Sequence, residues 1–205
     1  MKNNTAHGHN DYQQNVFDNP EMFVEKFDGP ERDVWQKPDE VIKLFNLHDG
    51  AVVVDIGAGT GYFTVRLAER LKNGKIFALE QAPKMALYLQ DRASKAGFNN
   101  VNVRVTGSDG SLGLQEQADL IFSVDVYHHL QDRINYFTKV SQNLKPGGIL
   151  VVIDRTEGKV EGQPMGHRVP PEKVKEEMKQ AGFELVQELD FLLPIQYYLA
   201  FKRSA

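Results

Sequence analysis

The chain has 205 residues, 41% of them hydrophobic and 25% charged, with a formal net charge of −4 and no cysteine. This composition describes an ordinary globular chain with room for one substantial core, and its mild acidity argues against a broad basic surface for nucleic acid or an anionic membrane. Without cysteine there is no disulfide frame, no thiolate metal site and no cysteine nucleophile.

The N-terminal stretch MKNNTAHGHNDYQQNVF is polar and amide-rich. It has no apolar run to serve as a signal peptide, and nowhere does the chain offer the ~18 apolar residues that would span a bilayer, so the cytoplasm is the expected location. His7 and His9 read as part of a polar terminus rather than a metal site. Residues 1–37 as a whole read as an arm. Within it FDGPERDVWQKP, Phe27 to Pro38, is turn-rich and carries aromatics, which suits a lid over a site. A surface extension with Phe23, Phe27 and Trp35 pinned into the core is the other reading. Asp39 to Leu47 has the first clear helical period, and the folded domain is expected over residues 38–205.

From residue 51 onward apolar runs alternate with helix-period segments, the pattern of an α/β fold with a parallel sheet. Ala51 to Ile56, Lys75 to Glu80, Val101 to Thr106, Asp119 to Val124 and Gly148 to Asp154 read as strands. Helices are expected over Tyr62 to Leu71, around Met85, Leu89 and Ala93, and along the stripe Ile134, Phe137, Val140 and Leu144. Asp132 is the expected N-cap of the last of these, and Pro146-Gly147-Gly148 its stop. Pro171 suits the first turn of a helix that buries Val174, Met178 and Ala181 and ends at Gly182. Phe183 to Phe191 and Gln196 to Lys202 follow as β-rich runs joined around Pro194. So short a link forces an antiparallel hairpin, because a parallel crossover needs about a dozen residues or more. The expected architecture is an α/β, Rossmann-like, doubly wound sheet, mostly parallel, that ends in this hairpin.

Between the first strand and the Tyr62 helix lies DIGAGTG, with Asp55, Gly57, Gly59 and Gly61. Glycine is required where the backbone takes positive φ or approaches a ligand too closely for a Cβ, so the loop reads as a ligand seat outside the carboxyl end of the strand. A dinucleotide loop places its third glycine one residue later, where this chain has Tyr62. Here the sequence resembles the class I methyltransferases that use S-adenosylmethionine, and in particular the ubiquinone/menaquinone-biosynthesis type. The family's first motif, an acidic residue followed by alternating glycines, is matched in full by Asp55, Gly57, Gly59 and Gly61. The resemblance extends over about residues 38–203 and implies seven strands in the order 3-2-1-4-5-7-6. It also implies that Glu80, followed by Gln81, binds the ribose hydroxyls, and that Asp109 with Gly110, in GSDG, takes the adenine amino group. LKPGGILVVID matches the late motif through the fifth strand. S-adenosyl-L-methionine is the implied cofactor, with S-adenosyl-L-homocysteine as product.

The fourth strand runs into SVDVYHHLQD, which puts Asp125, Tyr127, His128 and His129 beside the expected methyl group, Asp125 counting with the cofactor-binding residues. Methyl transfer is an in-line displacement with a neutral leaving group, so a base is needed only if the nucleophile arrives protonated, and histidine suits that at neutral pH. His128 and His129 are the catalytic candidates, with His128 expected to point at the methyl, as a base or as a group that only positions the acceptor, and no metal site expected. Gly166-His167-Arg168 lies in a loop where this family builds its substrate side, although a solvated loop is an equal reading. The nucleic-acid amino methyltransferases place Pro-Pro-aromatic after the fourth strand, and Asp125-Val126-Tyr127-His128 has neither proline. Cysteine-dependent cytosine and arsenite methylation are excluded as well. The expected partner is therefore a small organic acceptor, without nucleic acid or membrane. A nicotinamide-dependent oxidoreductase and a non-catalytic S-adenosylmethionine-binding protein are the alternatives.

Overall fold

A computed structural model describes residues 19–156 and 168–204; His7, His9, Gly166 and His167 lie outside them. One sheet is built from β1 (Val52–Ile56), β2 (Lys75–Glu80), β3 (Val101–Val105), β4 (Ala118–Val124), β5 (Leu144–Arg155), β6 (Phe183–Leu189) and β7 (Gln196–Arg203). Its order is β3-β2-β1-β4-β5-β7-β6. The first five strands pair in parallel, and β7 runs antiparallel between β5 and β6. This is the order that the family resemblance implies. Around the sheet lie helices α1 (Glu21–Asp28), α2 (Pro30–Gln36), α3 (Pro38–Leu44), α4 (Tyr62–Arg70), α5 (Pro83–Lys95), α6 (Arg133–Ser141) and α7 (Pro171–Gln180), with a 3-10 turn at Tyr127–His129.

Successive side chains of a strand point to opposite faces. Val52, Val54 and Ile56 of β1 join Leu150 and Val152 of β5 on the face that α6 and α7 cover. Val53, Leu120, Phe122 and Ile153 meet α3 and α4 on the other. Each buried aliphatic side chain contributes roughly 1.5–3 kcal/mol, so a strand covered on both sides, such as VVVDI, needs no polar alternation. Asp55 is its polar exception. The edge strand β6 is exposed along most of its length and carries Glu184, paired with Lys202 of β7, a charged edge that resists further strand pairing.

The structure departs from the sequence pattern in three places. Among the described residues of the N-terminal segment there are three helices rather than one, α1, α2 and α3 following one another, and most of the turn-rich FDGPERDVWQKP is helix α2. Pro30 and Pro38 stand at the first turns of α2 and α3, where proline starts a helix rather than breaking one. Leu144 does not continue the α6 stripe but opens β5 opposite Ala118. The Ala118 N–H donates to the Asn143 carbonyl at 2.7 Å, so long-range pairing overrides the local period. Asp132 is the N-cap residue of α6, but in a left-handed conformation and without a side-chain cap: its carboxylate accepts from the Asn135 side chain at 2.7 Å.

The order of the strands reverses between β1 and β4, and the carboxyl ends of those two strands border the crevice where sheets of this kind bind ligands. Phe122 fixes that junction from below, its ring centre 5.2 Å from Phe45 at the end of α3 and 5.9 Å from Phe63 in α4. Phe122→Ala is expected to lower stability by ~3–5 kcal/mol in urea unfolding, through lost burial and the void left behind. A loss under about 1 kcal/mol would show that the site collapses freely and that this junction holds nothing.

Candidate active site

The glycine loop after β1 is tied to the end of β2. The N–H groups of Gly57 and Ala58 both donate to the Leu79 carbonyl, at 2.8 and 3.0 Å. Glu80 Oε2 accepts from the Gly59 N–H at 2.9 Å, and its Oε1 accepts from Gln81 and Ala82 at 2.8 and 3.0 Å. The three glycines do different work. All have positive φ, but a Cβ on Gly57 would stand 2.4 Å from Val126 and one on Gly61 2.2 Å from Leu89, so these two permit close packing of the loop. At Gly59 the nearest atom is 3.9 Å away, on Phe27, and the space beside it is the cavity. Glu80 and Gln81 also line that cavity. An ionised carboxylate has about four lone-pair sites, and Glu80 already accepts three backbone N–H groups. One site is left for a ligand hydroxyl, fewer than the pair that the resemblance implies.

Asp55, the polar residue of β1, is buried and lines the same cavity. Thr64 Oγ1 donates to its Oδ2 at 2.7 Å. Burial pushes its carboxyl up to about 7; the Thr64 hydrogen bond opposes this, the Glu80 charge adds to it and Arg32 opposes it.

At the end of β4, Asp125 takes a left-handed backbone, φ 57°, and turns its carboxylate toward β5 and β7. Gln196 Nε2 donates to Oδ1 at 2.7 Å and Arg155 Nη2 to Oδ2 at 3.0 Å. Gln196 in turn accepts from Gln36 of α2 at 2.7 Å, and both amides are fully buried. Tyr127 does not reach the cavity. It sinks into the core, stacks on Phe137 and donates its hydroxyl to Glu177 of α7 at 2.7 Å. Arg133 holds the same carboxylate with two nitrogens, at 2.7 and 2.9 Å. This buried cluster clamps the turn that carries the histidines.

His128 lines the cavity, and its Nδ1 lies 2.7 Å from Oδ1 of the buried Asp154. The same carboxylate accepts the His128 and Arg155 backbone N–H groups at 3.0 and 2.6 Å. A carboxylate in such a setting only accepts, so Nδ1 donates and Nε2 is the nitrogen left to act as a base. His129 is exposed, its ring 3.9 Å from that of His128. Asp154 was not singled out in the sequence; the signal is a polar residue that closes the apolar run GILVVI next to the strand that leads to His128.

The cavity measures about 980 Å³ and unites the glycine loop, Glu80, Asp125 and His128 under a roof from α1 and α2. Phe23, Phe27 and Trp35 are half-buried in that roof and face the cavity rather than the core. Arg32 of α2 lines it too, its guanidinium 4.0 Å from the ring centre of Tyr62. Burial pulls Arg32 down from the ordinary arginine range, with the Asp125 charge opposing.

The turn after β3 differs from expectation. Asp109 is exposed and is absent from the cavity lining, which takes Thr106, Gly107 and Ser108 instead. Its carboxylate accepts from Lys139 Nζ at 2.9 Å and Ser111 Oγ at 2.8 Å, and these bonds hold it well below the usual carboxylate range. Gly110 answers to packing: a Cβ there would stand 2.4 Å from the Tyr136 carbonyl oxygen.

Asp55 makes stability depend on pH. Its folded-state value lies above the ordinary 3.8, so the folded chain holds this proton more tightly than the unfolded chain does. The associated stability is complete below pH ~4 and is lost as pH rises toward about 7, by on the order of 4 kcal/mol. In Asp55→Asn this component is expected to vanish, so the variant gains on the wild type as pH rises from 4.5 to 7.5 in denaturation experiments. A stability difference that stays flat over that window would contradict the assignment.

A family model described as a methyltransferase domain matches residues 47–191, more than half of the chain. Among curated relatives, the protein-L-isoaspartate O-methyltransferase of Aeropyrum pernix is 37% identical over 79 residues, 38% of this chain and 30% of that protein. The malonyl-[acyl-carrier protein] O-methyltransferase of Acetivibrio thermocellus is 33% identical over 99 residues, 48% of this chain and 33% of that protein. The matches thus span about a third of the length of these relatives. A crystal structure of a SAM-dependent methyltransferase from Aquifex aeolicus shares the fold with a TM-score of 0.80 at 22% identity, over 89% of this chain and 97% of that one. With a sheet in the class I order and a methyltransferase model over residues 47–191, the chain belongs to the class I methyltransferase family.

Proposed function

We propose that the protein transfers a methyl group from S-adenosyl-L-methionine to a small organic acceptor, with His128 as the base and Asp154 as the residue that orients it. The observation that carries this reading is the single cavity onto which the glycine loop, Glu80 and the His128–Asp154 pair all open. The residues fit the donor: an open seat at Gly59, a remaining acceptor site on Glu80 for a ribose hydroxyl, and Ser108 in the lining for the base edge. When bound, the donor supplies an electrophilic methyl on a sulfonium with a neutral thioether to leave. His128 Nε2 takes the proton of the incoming nucleophile, and Asp154 keeps the ring in the tautomer that allows it. The cavity volume stands at the upper end of the ~300–1,000 Å³ of small-molecule sites, which suits a donor and a small acceptor together.

Methyl-labelled donor incubated with the protein and a metabolite extract is expected to give a labelled small molecule and S-adenosyl-L-homocysteine. With that acceptor in hand, His128→Ala should lower turnover ~10²-fold or more while affinity for S-adenosyl-L-homocysteine barely moves. Asp154→Asn should reduce turnover less, because it disturbs the tautomer and not the base itself. Full activity in His128→Ala would confine the histidine to a structural role.

Residues 27–38 act as a lid in this reading, closing over the donor. Proteolysis is expected to cut them in the free protein and to spare them once S-adenosyl-L-homocysteine is bound; equal cutting in both states would mean that they stay docked.

A further inference from the structure

Among the described residues two side-chain amides are fully buried, Gln36 at the end of α2 and Gln196 at the start of β7. Gln36 is also the one residue that α1 and α2 bury completely. A helix that buries an amide where an aliphatic side chain would pack more easily needs a hydrogen-bonding reason for it.

The bonds of the two amides form a chain with a direction. Arg32 Nη2 donates to Gln36 Oε1 at 3.2 Å, Gln36 Nε2 to Gln196 Oε1 at 2.7 Å, and Gln196 Nε2 to Asp125 Oδ1 at 2.7 Å. The direction is set at the far end. The Asp125 carboxylate, paired with Arg155, only accepts. Gln196 therefore turns its nitrogen to Asp125 and its oxygen to Gln36, and Gln36 has to answer with a nitrogen. A second path leads back to the same helix. Arg155 Nη2, which holds Asp125 Oδ2 at 3.0 Å, belongs to a guanidinium that lies 5.2 Å from the ring centre of Trp35, the neighbour of Gln36. Helix α2 thus reaches both oxygens of one carboxylate, through β7 on one side and β5 on the other.

Asp125 needs such support. Its φ of 57° is unfavourable for any residue with a Cβ, and it leads into the turn of His128 and His129. We propose that Gln36 and Gln196 are positioning residues, which make the geometry of Asp125 and of the turn that carries His128 conditional on the docking of helix α2. The catalytic consequence rests on the reading of His128 as the base; the coupling does not. When α2 lifts, the Gln196 oxygen loses its donor and Arg155 loses the ring above it, so the grip on Asp125 slackens and the turn loosens with it.

Hydrogen exchange on the ligand-free protein tests the coupling. Gln36→Met, close in shape but without the amide, is expected to speed exchange of the His128 and His129 amides roughly 10-fold, the loss of about one hydrogen bond, together with the amides of α2. The Ile76 amide, bonded to the Asn100 carbonyl at 2.8 Å on the far side of the sheet, should keep its wild-type rate and so report an intact fold. Gln196→Met should act on His128 and His129 in the same way, and the double variant no more than either, because one chain is broken once. Gln36→Glu keeps the shape and the acceptor for Arg32 but carries no donor when ionised, so it should loosen the turn as Met does. Faster exchange confined to α2 in Gln36→Met, additive effects in the double variant, or wild-type exchange at His128 in Gln36→Glu would each overturn the proposal. An equal change at Ile76 would overturn it too, since the loss would then be one of general stability. With an acceptor in hand, turnover of Gln36→Met should fall by a similar factor. A loosened turn with unchanged turnover would leave the coupling standing and remove His128 as the base, which separates the two failures.

Discussion

The site depends first on the tie between the glycine loop and the end of β2. Two loop N–H groups converge on one carbonyl, that of Leu79, and a third is held by the Glu80 carboxylate. Without these bonds a loop with three glycines in left-handed conformations would be free to sample many others, because glycine loses more entropy on ordering than any other residue. With them, Gly59 is presented to the cavity while its neighbours are locked against Val126 and Leu89. If Glu80 binds a ligand hydroxyl as proposed, it has two tasks, and that affinity is not separable from the shape of the seat. A change at Glu80 that lowers binding reports on both at once.

The opposite wall obeys a different constraint. The backbone leaves β4 through a left-handed Asp125 and enters a single 3-10 turn, a short element with weak bonding of its own. It is held from two sides. Tyr127 and Arg133 converge on Glu177 in the core, and Asp154 takes both the backbone N–H and the ring of His128. A histidine gripped at two points has little rotamer freedom, which is the preorganisation that a base needs. His129, the more exposed of the two, lines the same cavity, and the ring that Asp154 holds is that of His128.

Much of this was legible in the sequence, for reasons of locality. Strands buried on both faces announce themselves as apolar runs, and the hairpin followed from a link too short for a crossover, so the strands and the position of the loop were readable, while the order of the strands came from the family resemblance. The misreadings share one cause, the arrival of a partner distant in sequence. Asp109 reads as a ligand group until Lys139, on a helix thirty residues away, takes its carboxylate. Leu144 fits the α6 stripe until the pairing with β4 draws it into a strand. Asp154 and Arg32 carry no local pattern at all; one becomes important through a turn on the neighbouring strand, the other through a cavity that its helix helps to close. Gly-Pro and Lys-Pro in the N-terminal segment were ambiguous in a simpler way, since the same dipeptides mark a turn or the start of a helix.

The roof has a core unlike the rest of the molecule. Helix α1 buries no residue fully and α2 buries Gln36 alone. The roof is fastened by the partly exposed pair Asp33 with Arg66, worth ~1 kcal/mol or less, by the less exposed pair Asp28 with Arg92, and by the buried bond from Gln36 to Gln196. Its larger side chains, Phe23, Phe27 and Trp35, instead turn toward the cavity and stop half-buried. A segment held by a few polar ties, with its apolar face on a void, belongs to the less stable parts of a fold. A molecule that fills the cavity would supply contacts for those three rings. In the proposed lid reading, ligand binding and roof closure are one equilibrium, and the molecule enclosed contributes to holding α1 and α2 in place.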